Sequence, residues 1–331
     1  MDKLATLVEA ADLNALLRAV DGLCAARSWD ELVDLAEMCE DALERGKQLW
    51  PIAAHIDYRL ALEAPGDYAA SVLVPEVTRF AVGPLTEVAA STHTWRQLAP
   101  HIESPQIASY VAQERVLRGE ILTGDEGTHA EVLELPLLLT EWEPTYALAT
   151  YSSDHVEVAE PWDPAAPLQE VAVEEGDQLD ETDLVNALLE LVQPWTAESN
   201  GAARACVVEG SALSAASALT FGRLRMGPLE TDEALQRIAW AAASGGAHGR
   251  RRGAALGRFQ AWYCGAALAD LEWPVTPERF GEALDELRWY RWDEGEPEKG
   301  WVLRIAVEDS ANGWAAALAA TDLLTDPSPT G

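Results

Sequence analysis

Between Arg118 and Arg204 the sequence has no lysine and no arginine, and the whole 331-residue chain contains only three lysines. Against 23 basic side chains stand 56 acidic ones, for a formal net charge of −33. A surface of that sign repels nucleic acid at long range and lacks the basic footprint a duplex requires, so no direct nucleic-acid binding is expected. Long apolar runs are also missing. None approaches the roughly 20 residues of a membrane helix. The start, MDKLATLVEAADLNALLRAV, reads as an acidic amphipathic helix with neither a basic n-region nor a small-residue cleavage site. The expectation is a cytoplasmic protein with no membrane partner. Cys24, Cys39, Cys206 and Cys264 make no CxxC pair, lie near no histidine at zinc spacing and sit in apolar patterns, so they read as reduced core thiols. A Cys24–Cys39 disulfide across a helical hairpin is geometrically conceivable, but a cytoplasmic compartment argues against it.

Signatures of catalysis are equally scarce. GxxxxGK[ST], a strand-borne GxGxxG, GxSxG and HExxH do not occur, and His55, His93, His101, His129 and His155 are scattered without i,i+4 pairing. No catalytic residue, metal site or cofactor is assigned on these grounds. One acid pair is worth naming: Glu209 and Glu308 each end a strand-like run, and if they converged they would suit acid/base hydrolysis. The bland reading is that each caps a helix.

What is present is 48% apolar residues, enough to bury one large core or two ordinary ones. Acidity is uneven: residues 1–125 carry 10 basic and 20 acidic side chains, 126–200 carry 0 and 18, and 201–331 carry 13 and 18. Such a surface attracts basic partners, or else is a solvated face that keeps the chain dispersed. The patterns predict a mainly α protein with an α+β C-terminal part: a helical-hairpin array over 1–120, an acidic segment with a β-hairpin and flexible linker over 121–200, an α+β domain with helices and short β-hairpins over 201–325, and a disordered tail over 326–331. In the first half, Ser28-Trp29-Asp30-Glu31 and Thr94-Trp95-Arg96-Gln97 have the form of capping boxes and hint at a repeated hairpin. In the second, ACVVEG reads as a strand, SALSAASAL and TDEALQRIAWAAA as helices, TPERFGEALDELR as a helix capped by Thr276, and RWYRWDE with GWVLRIAVED as a hairpin. NGWAAALAATDLL reads as a last helix. VVEGSALSAASAL and AVEDSANGWAAAL then look like related strand–turn–helix halves.

The stretch SGGAHGRRRGAALGRF, Ser244 to Phe259, concentrates four arginines and a histidine in this acidic chain. If a helix begins near Arg250, then Arg250, Arg251 and Arg252 occupy its first turn, where the macrodipole disfavours cations by roughly 0.3–1 kcal/mol each. A negative group must offset that. Gly245 and Gly246 can take φ > 0, and with His248 and the three guanidinium groups they form a candidate anion or phosphate site, Gly245 to Arg252. Arg258 lies about two turns along the helix and is not assumed to join it. The anion is either the protein itself, through the acidic segment 126–200 or Glu209 and Glu308, or a ligand bearing phosphate or carboxylate. Gly253, Gly257, Ala261 and Gly265 recur every four residues and form a stripe for close packing against the helix ending at Ala243. Trp240 and Trp262 flank the arginines, which suggests arginine–aromatic stacking.

The segment WAAASGGAHGRRRGAALGRFQAW, with its arginine-over-lysine bias, resembles uncharacterised families of high-GC actinobacteria whose function is unknown. That resemblance implies a bacterial cytoplasmic setting and carries no activity. The leading functional expectation is a non-catalytic interaction or adaptor protein whose acidic surface takes a basic or protein partner. The alternatives are an enzyme or sensor that binds a phosphate-bearing small molecule at Gly245–Arg252, and a DNA mimic.

Overall fold

Asp12 ends one helix and starts the next. Its carboxylate accepts the Ala15 amide at 3.0 Å, so the chain leaving α1 (Asp2–Ala10) re-enters a helix as α2 (Leu13–Ala26), which closes at Arg27 in the left-handed region. In this computed structural model, which describes residues 2–74, 83–160, 166–220, 222–295 and 300–323, the chain forms two compact units. One comprises Met1–Leu133 with Ala149–Val158; the other comprises Glu134–Leu148 with Ala159–Gly331. The acidic segment 121–200 is therefore divided between them. The expected tail, 326–331, lies outside the described residues.

The first unit is helical, as the patterns predict. After α2 come α3 (Trp29–Glu44), α4 (Trp50–Glu63), α5 (Gly66–Ser71), α6 (Leu85–Thr92), α7 (Trp95–Leu98) and α8 (Pro105–Leu117). Leu16, Val20 and Cys24 of α2, Leu32, Leu35 and Cys39 of α3, and Ile52, Ile56 and Leu60 of α4 recur every three or four residues and pack as one core. Each fully buried leucine or isoleucine contributes about 1.5–3 kcal/mol. The Thr94 capping box forms, with Gln97 Oε1 accepting from the Thr94 amide and hydroxyl at 2.9 Å each. The one at Ser28 does not. Ser28 sits at ψ 67, outside the extended region from which a hydroxyl reaches the third helix amide, and its side chain makes no cap bond. With α3 sixteen residues long and α7 only four, the two tryptophan-led segments are not copies of one hairpin. The hairpin expected in the acidic segment, β1 (Ala149–Tyr151) and β2 (Val156–Val158) turned by Ser152 to Asp154, belongs to this unit.

The second unit contains α9 (Thr182–Glu190), α10 (Gln193–Ala197), α11 (Ala212–Leu219), α12 (Thr231–Ala243), α13 (Ala254–Leu268) and α14 (Pro277–Glu286). Its strands are β3 (Gln169–Val171), β4 (Asp177–Gln178), β5 (Ala202–Glu209), β6 (Leu224–Leu229), β7 (Arg288–Asp293), β8 (Trp301–Asp309) and β9 (Trp314–Asp322). They form one antiparallel sheet in the order β3-β6-β7-β8-β9-β5-β4. The α+β character is as expected, but the strands join one seven-stranded sheet in place of separate short hairpins. Its two edge strands are neighbours in sequence. The five residues between Val171 and Asp177 reach at most about 21 Å, whereas six flat strand spacings need about 29 Å. The sheet must curl, and α11 lies in the curl. Cys206, Val208, Ala306, Ala315 and Ala317 face Ala212, Ala215, Ala216 and Leu219 there.

That geometry explains one misread element. NGWAAALAATDLL, expected as a helix, is largely strand β9, paired along its full length with β8 and from Trp314 to Thr321 with β5. Alanine's helix preference is worth fractions of a kcal/mol per residue, and two ladders plus a small-residue floor for α11 outweigh it. The resemblance between AVEDSANGWAAAL and VVEGSALSAASAL consequently fails as a structural repeat. The second is strand–helix, but the first is a hairpin whose turn is built by Asp309, which accepts the amides of Ala311 and Asn312, and by Gly313 at φ 75.

Candidate functional site

Helix α13 starts at Ala254, with Gly253 at φ 96 as its N-cap, so the three arginines precede the helix instead of forming its first turn. The Arg252 amide donates to Ala243 O at 2.7 Å and the Gly253 amide to the same oxygen at 3.3 Å, folding the loop back onto the end of α12. The helix cannot extend to Arg250, and the first-turn penalty inferred from sequence does not arise. The glycines serve this closure: a Cβ at Gly245 would collide with the Arg250 backbone, and one at Gly249 with Gly245 O. Gly246, at φ 76, lies against the Asp322 carboxylate.

Within the loop three consecutive amides find acceptors in the protein. Gly246 donates to Ser244 Oγ at 3.2 Å, Ala247 to Asp322 Oδ2 at 2.5 Å and His248 to Ser199 Oγ at 3.0 Å. Ser244 Oγ also receives Trp195 Nε1 at 3.0 Å. Arg252 Nη2 meets Glu198 Oε1 at 2.6 Å, Arg251 is buried, and Arg250 and the His248 side chain are exposed. Two donors of the loop, the Ala247 amide and the Arg252 guanidinium, engage carboxylates of the same chain, Asp322 and Glu198. Asp322 is fully buried, and its Oδ1 has no hydrogen-bond partner among the described residues.

Arg258, which the helical spacing separates from the cluster, anchors a buried polar centre in the second unit. It is fully buried, and its Nε and Nη2 meet Glu143 at 2.8 and 2.6 Å. Its remaining donors reach Pro136 O at 3.0 Å and Leu138 O at 2.9 Å. Glu143 also accepts from Tyr146 Oη at 2.7 Å, Trp262 Nε1 at 3.0 Å, and the Thr140 amide and hydroxyl at 3.1 Å. Burial pushes the Glu143 carboxyl up, but the guanidinium charge and these hydrogen bonds outweigh it and hold it below the usual carboxylate range. Burial and the neighbouring carboxylate drive the Tyr146 phenol well above its ordinary value. The expected arginine–aromatic stacking occurs here, with Arg258 over the Trp262 ring at 5.7 Å. The sequence signal was available: Arg258 is the sole charge in a fifteen-residue helix of small, apolar and aromatic residues, and such a charge needs a buried partner.

The segment without cations is thus tied to the arginines beyond it. Arg258 holds Glu143, Arg252 holds Glu198, and Arg223 grips Glu170 with two bonds of 3.1 and 2.7 Å. Glu209 and Glu308 are not brought together. Across the ladder Glu209 aligns with Trp314 and Asp309, whereas Glu308 aligns with Ala315 and Val208, so the two acids leave opposite faces of the sheet, two strands apart. Glu308 caps α11, accepting the Ala212 amide at 3.0 Å, and Glu209 is exposed. Gly257 of the small-residue stripe packs on α12 as expected, where a Cβ would come within 2.8 Å of Ala243 Cβ.

In the first unit, Glu87 and Glu114 are buried beside Arg118, which pairs with Glu114 at 2.6 Å, and the Tyr151 hydroxyl donates to Glu87 at 2.8 Å. The four cysteines are free and buried, so the pairing of Cys24 with Cys39 does not occur. Burial pushes three of their thiols, Cys24, Cys39 and Cys206, up to about 11. No helix among the described residues is long and apolar enough to cross a membrane, and none of their acidic, histidine and cysteine side chains group as a metal cluster. No curated protein and no solved structure matches the chain. A family described as "Family of unknown function (DUF6183)" matches residues 14–324, and the chain belongs to it.

Proposed function

We propose that this chain is a non-catalytic interaction protein whose acidic surface receives a basic partner. The observation that carries the reading is α3. Its sixteen residues include seven acids, Asp30, Glu31, Asp34, Glu37, Glu40, Asp41 and Glu44, all exposed, and no lysine or arginine. Among the described residues none of the seven is in an ion pair. Acids in the first turn suit the helix dipole, but Glu40, Asp41 and Glu44 crowd its negative pole, where each costs roughly 0.3–1 kcal/mol at low salt. Local helix energetics therefore do not account for the stripe. Its field is felt nearby: burial, and then the charge of Glu40, push the Asp57 carboxyl up to about 6. In the second unit Arg223, Arg225, Arg252, Arg258, Arg288 and Arg304 are paired with the chain's own acids, which supports the same outward excess of negative charge.

A binding titration tests this. An oligoarginine peptide should bind at low salt, bind more weakly as salt rises, and bind more weakly to a Glu37→Gln/Glu40→Gln/Glu44→Gln variant. Loss of none of the affinity in that variant would count against the α3 face. The competing reading, a phosphate-bearing ligand at Gly245–Arg252, makes a different demand: nucleotides should raise the melting temperature, and Arg251→Ala should remove the effect. That result would overturn the interaction-only reading.

A further inference from the structure

Helix α13 presents an uncharged face in an otherwise acidic protein. Arg258 is its single charged residue and is fully buried, and the residues not buried are Leu256, Phe259, Gln260, Tyr263 and Ala267, a stripe at helical spacing. On that stripe three aromatic rings meet. Phe259 stacks on Tyr263 with centroids 6.0 Å apart, and Trp273, from the loop after the helix, stands edge-on to both at 5.7 and 5.8 Å. Tyr263 is 39% exposed, and Phe259 and Trp273 are half-buried. Core packing does not require a tyrosine face in water. Acid accompanies the rings: Asp270 and Glu272, both exposed, lie in the loop that delivers Trp273.

We propose that Phe259, Tyr263 and Trp273 form a docking platform for an arginine-bearing segment of a partner protein. The proposal rests on the basic-partner reading above and adds the chemistry of contact. Aromatic faces attract cations, and a planar guanidinium both stacks on a ring and offers its edge donors to flanking carboxylates, which an ammonium does less well. Asp270 and Glu272 supply those acceptors. A second copy of this chain is the weaker occupant, because it would bring another net charge of −33 to the same acidic rim.

The test uses the full chain with two probes of equal length, oligoarginine and oligolysine, in calorimetric titrations. The expected result is tighter binding of oligoarginine, with Tyr263→Ser and Trp273→Leu each lowering its affinity about tenfold and removing the preference over oligolysine. Trp273→Phe, which keeps a ring, should retain part of it, and the circular dichroism of each variant checks the fold. If oligoarginine binds the native chain but Tyr263→Ser binds it equally well, the platform is wrong and the acidic-face reading stands. If neither probe binds the native chain, both readings fail. A dimer in sedimentation that Tyr263→Ser dissolves would also overturn the platform, because the face would then belong to self-association.

Discussion

Replacing Arg258 by methionine removes the guanidinium that meets Glu143 while roughly keeping the volume. Three donor sets stay on the carboxylate, from Tyr146, Trp262 and Thr140, but the positive charge is gone and the carbonyls of Pro136 and Leu138 lose their donors. Both partners of the pair are fully buried, so solvent screening does not soften the loss. Removing one member of a buried pair costs about 3–5 kcal/mol. In a unit of this size that lowers the melting temperature by roughly 6–20 °C. The linkage sign also changes. In the native chain the Glu143 carboxyl lies below its ordinary value, so its contribution is present above the unfolded pKa and is lost as pH falls through the folded one. In Arg258→Met, burial is no longer outweighed, the folded pKa rises, and the variant regains relative stability on acidification. Thermal unfolding followed by near-UV dichroism, at neutral and mildly acid pH, reads both effects. The double variant Arg258→Met/Glu143→Gln should recover much of the loss, giving a coupling of about 3 kcal/mol in a mutant cycle. A coupling below about 1 kcal/mol would refute the claim that this pair anchors the unit.

Other consequences can be checked directly. Asp57, with its carboxyl raised from 3.8 to about 6, binds its proton more tightly when folded, so it destabilises as pH rises from about 4 to 6; Asp57→Asn should flatten that window and raise the melting temperature at neutral pH, measured by scanning calorimetry. Gly257→Ala, whose Cβ has no room between Ala239 O and Ala243 Cβ, should cost about 1–3 kcal/mol in denaturant unfolding, whereas alanine at Gly22, where a Cβ meets nothing, should not destabilise. Glu308→Ala should lose about 0.5–2 kcal/mol as the Ala212 amide at the start of α11 loses its acceptor while the Ser211 cap stays, and Glu209→Gln should be near neutral in the same assay.

The first unit was legible because its helices are amphipathic: Leu16, Val20 and Cys24, or Leu32, Leu35 and Cys39, announce both helix and buried face from spacing alone. Strand β9 was not, because Ala315 to Ala320 carry a helix-favouring composition whose meaning depends on β5, β8 and α11, all distant in sequence. The turn that should have warned of it, Asp309 to Gly313, is a local aspartate–asparagine–glycine signal. At the arginine loop the composition pointed to anion chemistry, and the loop amide of Ala247 and the Arg252 guanidinium do meet carboxylates. Glu198, which meets Arg252, lies in the acidic segment 126–200 that the sequence offers as the counterpart, whereas Asp322, 75 residues from Ala247, lies outside every acid the sequence points to. Helical spacing separates Arg258 from the arginine loop, but its isolation among apolar neighbours is the stronger clue.

The α3 face, with seven exposed acids and no lysine or arginine, is proposed to take a basic partner. Titrating the full chain with oligoarginine across a salt series tests it most directly. Binding should weaken steadily with salt and fall again when Glu37, Glu40 and Glu44 are neutralised; no binding at low salt, together with a nucleotide-induced rise in melting temperature lost in Arg251→Ala, would refute that reading.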